Sequence, residues 1–141
     1  MRTSRLLFLM LGIVMLLTYA YSSGGSTETG STSEKWVAPA AEAGKKNPVS
    51  VNDSSIALGQ KIYLQRCAEC HGKTGKGDGP DAADLGIHPA KLSDAAVQGQ
   101  TDGALFWKVT VGKKPMPSYR TRLSPADRWN VINYLRTLAR K

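Results

Sequence analysis

The only two thiols of the 141-residue chain stand three positions apart, with a histidine directly after the second, in Cys67-Ala68-Glu69-Cys70-His71. On one helical turn two side chains at this spacing occupy neighbouring points, and the following imidazole turns into the same space. This is the attachment signature of a c-type haem. Each thiol adds to one of two neighbouring vinyl groups of the porphyrin to form a thioether, while His71 coordinates the iron from that face. Other uses of a cysteine pair fit less well. A zinc site needs two more soft ligands, a thioredoxin-like pair needs a surrounding βαβ pattern, and a plain disulfide leaves His71 without a role.

A haem that carries electrons rather than binding small gases needs a sixth ligand. Met116 sits in Pro115-Met116-Pro117, where two prolines stiffen the backbone and suit it to hold a thioether at a fixed height over the ring. The other methionines, Met1, Met10 and Met15, belong to the apolar N-terminus. His88, in Ile87-His88-Pro89, is the rival ligand, with an exposed loop histidine as its plainer reading. His71 and Met116 are therefore the candidate iron ligands. A His88-ligated or open sixth position is the alternative, and it implies a gas-binding haem sensor or weak peroxidase.

Three helices are needed to position these groups. The first follows Asp53 and Ser54 as candidate caps, spaces Ile56, Gly59 and Tyr63 along a shared face and runs into Cys67. The second follows Thr101, carries Leu105, Phe106, Trp107 and Val109, and stops at Gly112. The third is the clearest: Ser124-Pro125-Ala126-Asp127 supplies a cap, an N1 proline and a first-turn acid ahead of Val131, Tyr134, Leu135 and Leu138. Between them, 72–89 and 112–123 are rich in Gly, Pro and charge. No alternating apolar run predicts a strand, and the Gly-Lys pairs after Gly72 lack the Gly-Lys-Ser/Thr ending of a phosphate loop.

Arg2 and Arg5 precede an unbroken apolar run over 6–17, which reads as an export signal. That run is short for a bilayer span of about 20 residues, although Tyr19, Ala20 and Tyr21 extend it toward an uncleaved anchor. Export places the domain in the periplasm or on the outer face of a bacterial cytoplasmic membrane. Residues 21–53 draw 19 of their 33 members from Ser, Gly, Thr, Ala and Pro. Such composition predicts a flexible tether. In it Trp36 reads as an isolated linker residue, with docking back onto the domain as the other reading. The folded unit is then expected over 54–141, small enough that something besides side chains must help fill its core.

These residues resemble the class I c-type cytochromes, small monohaem bacterial carriers, and the resemblance covers Ser54 to the end. In that family a glycine and an aromatic stand eight and four positions before the first haem cysteine, as Gly59 and Tyr63 do here. An aromatic-Leu pair of the last helix, like Tyr134-Leu135, packs against that glycine. The resemblance implies an all-α fold with crossing N- and C-terminal helices and one covalent haem c in the core. It also implies an electron carrier rather than an enzyme. A proline carbonyl is expected to hold the free nitrogen of His71, with Pro80 and Pro89 competing and Pro89 better placed. Trp107, Tyr119, Arg120 and Arg122 are candidates for contact with the haem propionates, Trp107 reading equally as core.

The chain carries a formal charge of +8, and from Ser54 onward 14 basic residues face 7 acidic ones. A basic balance in an exported haem protein points to acidic redox partners, such as a membrane respiratory complex, a terminal oxidase or a dehydrogenase, rather than to nucleic acid. Lys113 and Lys114, just ahead of Met116, are candidates to steer such a partner.

Overall fold

Asn52 opens the longest helix of the computed structural model, which describes residues 36–140. The expected export segment over 1–20, and residues 21–35 of the expected tether, lie outside the described residues. In chain order the helices are α1 (Ala40–Ala43), α2 (Asp53–Arg66), α3 (Ala68–His71), α4 (Pro80–Asp84), α5 (Ala95–Gln98), α6 (Asp102–Val111) and α7 (Pro125–Thr137), followed by a 3-10 turn at Leu138–Arg140. Among the described residues there is no strand, only an isolated antiparallel bridge between Lys113 and Met116. The fold is all-α, as expected.

Side-chain caps set the helix starts. The Asn52 carboxamide accepts from the Ser55 N–H at 2.8 Å, and the Asn52 N–H donates to the Ser55 hydroxyl at 3.1 Å. This reciprocal box satisfies two otherwise orphaned donors. It moves the cap from the expected Asp53 or Ser54 to Asn52 and leaves Asp53 as a first-turn acid, favourable against the helix dipole. Thr101 and Ser124 cap α6 and α7 as expected, accepting from the Ala104 and Asp127 N–H groups at 3.1 Å each.

Helices α2 and α7 cross at Gly59. A Cβ built on Gly59 would stand 2.0 Å from the carbonyl oxygen of Asn130 and 3.0 Å from Cβ of Tyr134. Only a residue without a side chain lets two backbones approach this closely. One turn further on, the Tyr63 and Tyr134 rings meet at 5.2 Å and 50°, a tilted aromatic pair. Tyr63, Ile132 and Leu138 are fully enclosed in the resulting core. Arg136 of α7 ties α6 in: its guanidinium donates to the Asp102 carboxylate at 2.7 and 2.8 Å and to the Gln98 carbonyl at 2.7 Å.

The segment 36–52 is not a tether. It packs along α6 and α7, so the folded unit extends N-terminal of Ser54 to Trp36. Its hold is mostly polar, which is why composition hides it. The Thr101 hydroxyl donates to the Ala43 carbonyl at 2.6 Å, and Asn47 donates to the Asn133 carboxamide oxygen at 2.7 Å. Asn133, 1% exposed, in turn donates to the Ser55 hydroxyl at 3.1 Å and the Val49 carbonyl at 3.3 Å. On α6, a Cβ built at Gly103 would stand within 2.8 Å of three carbonyl oxygens of this strap, those of Glu42, Ala43 and Lys45.

Candidate functional site

The thiols are placed by the end of α2 and the single turn of α3. The Cys67 N–H still donates to the Tyr63 carbonyl at 2.8 Å, and the His71 N–H donates to the Cys67 carbonyl at 2.9 Å, so the helical path continues through the motif. Both thiols are free. Burial pushes the Cys67 thiol up to about 12, with neighbouring Cys70 adding to it. Cys70 is raised as well, by burial first and then by Asp81 and Glu69.

His71 is oriented by a carbonyl. Its Nδ1 lies 3.1 Å from the carbonyl oxygen of Ala90. A carbonyl only accepts, so Nδ1 carries the proton and the Nε2 lone pair is left for a ligand. Burial lowers the His71 pKa, the Ala90 bond opposing it, and the neutral imidazole is the form that binds metal. Neither expected proline supplies this acceptor. Pro80 opens α4, and the Pro89 carbonyl lies against Gly77, where a built Cβ would stand 2.5 Å from it. The carbonyl that reaches His71 is the next one along the chain. The Leu92 N–H, donating to the Gly75 carbonyl at 2.7 Å, fastens this segment beside the motif.

Met116 is placed by a turn of its own. The Lys113 and Met116 backbones exchange two hydrogen bonds, at 2.9 and 3.1 Å, which closes a tight turn around Lys114-Pro115. That turn is fixed to the domain by Ser118, whose hydroxyl donates to the Thr110 carbonyl at 2.8 Å, and by Tyr119, whose hydroxyl donates to the Arg66 carbonyl at 2.5 Å. The Tyr119 phenol is thus a strut between the methionine loop and the end of α2, and burial pushes its pKa up to about 12.

These pieces converge on one cavity of about 330 Å³, within the ~300–1,000 Å³ of ordinary ligand sites. Cys67, Cys70, His71 and Met116 line it, with apolar walls from Leu105, Val109, Val131 and Leu135. Pro89, Tyr119 and the rival His88 line it too. Trp107 does not; it touches Trp36, ring centroids 6.3 Å apart, and Trp36 is the tryptophan at the cavity. Sequence reasoning missed Trp36, Arg66 and Lys108 as lining residues. For Trp36 a signal existed: it is the sole aromatic between Tyr21 and Tyr63, in a run of small residues. Two thiols, an imidazole with its Nδ1 committed and a thioether around one apolar cavity form a donor set that fits a covalently attached haem.

The family model described as "Cytochrome C oxidase, cbb3-type, subunit III" matches residues 54–135. Among solved structures, the Kuenenia stuttgartiensis reducing HAO-like protein complex Kustc0457/Kustc0458 contains a similar chain. The two are 30% identical with a TM-score of 0.56, over 71% of this chain and 50% of that one, so this chain spans half of that relative's length. The KustC0563 c-type cytochrome is 27% identical with a TM-score of 0.51, over 57% of this chain and 95% of its own. No curated protein matches the sequence. With the match over 54–135, the helical fold and the C-x-x-C-H spacing of Cys67, Cys70 and His71, the chain belongs to this family and is a class I c-type cytochrome with covalently bound haem c.

Proposed function

We propose that this protein is an exported one-electron carrier, not an enzyme, in which Cys67 and Cys70 hold the haem and His71 and Met116 are the iron ligands. When bound, the haem iron supplies reversible one-electron oxidation and reduction. The observation that carries the reading is the convergence of Cys67, Cys70, His71 and Met116 on a single apolar cavity. The chain's own residues then orient and seal: Ala90 fixes the imidazole, Tyr119 and the Lys113–Met116 turn hold the thioether, and Leu105, Val109, Val131 and Leu135 exclude water. A His/Met pair raises the potential, which suits a shuttle between a dehydrogenase or respiratory complex and an oxidase.

The basic balance supports docking to acidic redox proteins, with Lys113 and Lys114 beside the methionine loop. A similar chain occurs in a redox complex, the reducing HAO-like protein complex, and this supports a docked partner. The charged and apolar N-terminal run supports a site outside the cytoplasmic membrane, either released or tethered by that run. No helix among the described residues is long and apolar enough to cross a membrane.

His88 also lines the cavity, which gives a second reading: a gas-binding sensor or weak peroxidase with His88 or nothing in the sixth position. Absorption spectra of the protein made with haem-attachment machinery separate the two. The carrier reading expects the pyridine spectrum of a haem with two thioethers, together with the weak red band of methionine on ferric iron, and no change on adding carbon monoxide. Covalent haem without that band would overturn it in favour of the second reading, with carbon monoxide binding marking the open sixth position and its absence the His88-ligated one.

A further inference from the structure

The family match begins at residue 54, yet the strap before it is fastened to the domain at several places. Two are the Thr101–Ala43 and Asn47–Asn133 hydrogen bonds. The third is the close approach at Gly103, where any side chain would strike the strap's carbonyls. The fourth and fifth are at the strap's start, where the Trp36 ring meets Trp107 at 6.3 Å and the Lys108 ammonium sits 5.4 Å from its centroid. The lysine is held in that position by the Gln100 carboxamide oxygen, to which it donates at 2.5 Å. Trp36, Gln100 and Lys108 all line the same cavity as Cys67, His71 and Met116. The attachments therefore converge on carrying one indole to the cavity wall.

We propose that Trp36 is a further haem-binding residue of this cytochrome, which with Lys108 closes one wall of the cavity and holds the haem potential up. The proposal rests on the reading that the haem occupies this cavity. Its physical basis is charge. Oxidation by one electron adds a positive charge to the haem, and an apolar wall that keeps water away disfavours the more charged state. A lysine ammonium fixed beside the same wall disfavours it again by repulsion. Both effects favour the reduced form, so both raise the midpoint potential. Removing the indole admits water and releases Lys108 from its cation–π contact, and each change acts downward.

The test compares midpoint potentials of the full-length holoprotein in four forms: wild type, Trp36→Ala, Trp36→Phe and Gly103→Val. Trp36→Ala is expected to lower the midpoint, and Trp36→Phe to lower it less. Gly103→Val, which lifts the strap while leaving Trp36 intact, is expected to lower it as Trp36→Ala does. It also keeps the test open should Trp36→Ala fail to fold. All are expected to retain the two-thioether pyridine spectrum and the methionine band. In proton NMR of the ferrous wild type, the Trp36 indole signals, identified by their loss in Trp36→Phe, are expected to be displaced by the porphyrin ring current. Unchanged midpoints in Trp36→Ala and Gly103→Val, or undisplaced indole signals, would overturn the proposal while leaving the carrier reading standing. Loss of the methionine band in Trp36→Ala would also overturn it, because the residue would then act through the ligand loop. A chain with no covalent haem would overturn both readings together.

Discussion

Gly59 and Asn130 are in backbone contact: the Cβ that Gly59 lacks would stand 2.0 Å from the Asn130 carbonyl oxygen. The obstacle is another helix's main chain, which no rotamer change relieves. Gly59→Ala must therefore push α2 and α7 apart, and with them the Tyr63–Tyr134 pair. A loss of about 3 kcal/mol is expected, at the upper end of overpacking costs. Guanidinium unfolding of the holoprotein measures it; a midpoint within error of wild type would show that the crossing is looser than this geometry.

Asn133 joins α7 to the strap and to α2 through Asn47, the Val49 carbonyl and Ser55. Asn133→Ala takes the partner from buried Ser55 and from the half-buried Asn47 and Val49 groups, at a cost of about 1–3 kcal/mol. Asn47→Ala strands only one end of the network and is expected to cost less. Trypsin cleavage after Lys45 and Lys46 is expected to accelerate in both variants, in the same order, and mass spectrometry of the fragments reads it directly.

Alkaline pH should unfold this protein through its phenols. Burial, the largest cause at each, pushes Tyr119 up to about 12 and raises Tyr63 as well, from an ordinary 10. Each hydroxyl donates to a carbonyl, Tyr63 to Gly72 at 2.6 Å and Tyr119 to Arg66, which only the protonated form can do. Between pH 10 and about 12 the unfolded chain has released protons that the folded one retains. Stability is therefore full below pH 10 and falls as pH rises through that window. Tyr119→Phe is expected to flatten the fall while costing about 1 kcal/mol at neutral pH. Tyrosinate absorbance followed alongside helicity checks it: ionisation of these phenols without unfolding would contradict the prediction.

Association with an acidic redox partner is expected to slow as salt rises, because the steering field is screened over about 10 Å at 0.1 M. The double substitution Lys113→Gln, Lys114→Gln is expected to slow the low-salt rate by roughly tenfold and to shallow its salt dependence. Stopped-flow electron transfer over a range of ionic strength measures both. Equal slopes for the variant and the wild type would move the docking face away from the methionine loop.

What could be read from the sequence was whatever local chemistry decides. Thr101, Ser124-Pro125 and Gly112 mark helix ends because caps act within a turn, and the Cys67–His71 spacing carries its chemistry within five residues. Gly59 with Tyr63 was legible as one half of a crossing, since a glycine inside a helical pattern asks for a close neighbour. The strap was not legible. Its partners, Asn133, Thr101 and Gly103, lie more than fifty residues away, and its hold is made of carbonyls and amides that no hydropathy pattern registers. The acceptor for His71 differs by one residue from the expected Pro89 for a similar reason. Which carbonyl in Pro89-Ala90 faces the imidazole depends on how Gly77 and Leu92 seat that loop, not on the proline itself.

The contact at Gly103 also has an evolutionary side. A side chain at that position would strike the strap, the three nearest atoms being carbonyl oxygens of Glu42, Ala43 and Lys45. Early in a helix, glycine is otherwise a poor choice, about 1 kcal/mol worse than alanine. Selection would therefore replace it in any lineage that lost the strap and retain it in any that kept one. The strap and the glycine should be inherited as a pair, and position 103 alone would then reveal which sister cytochromes wear the same collar.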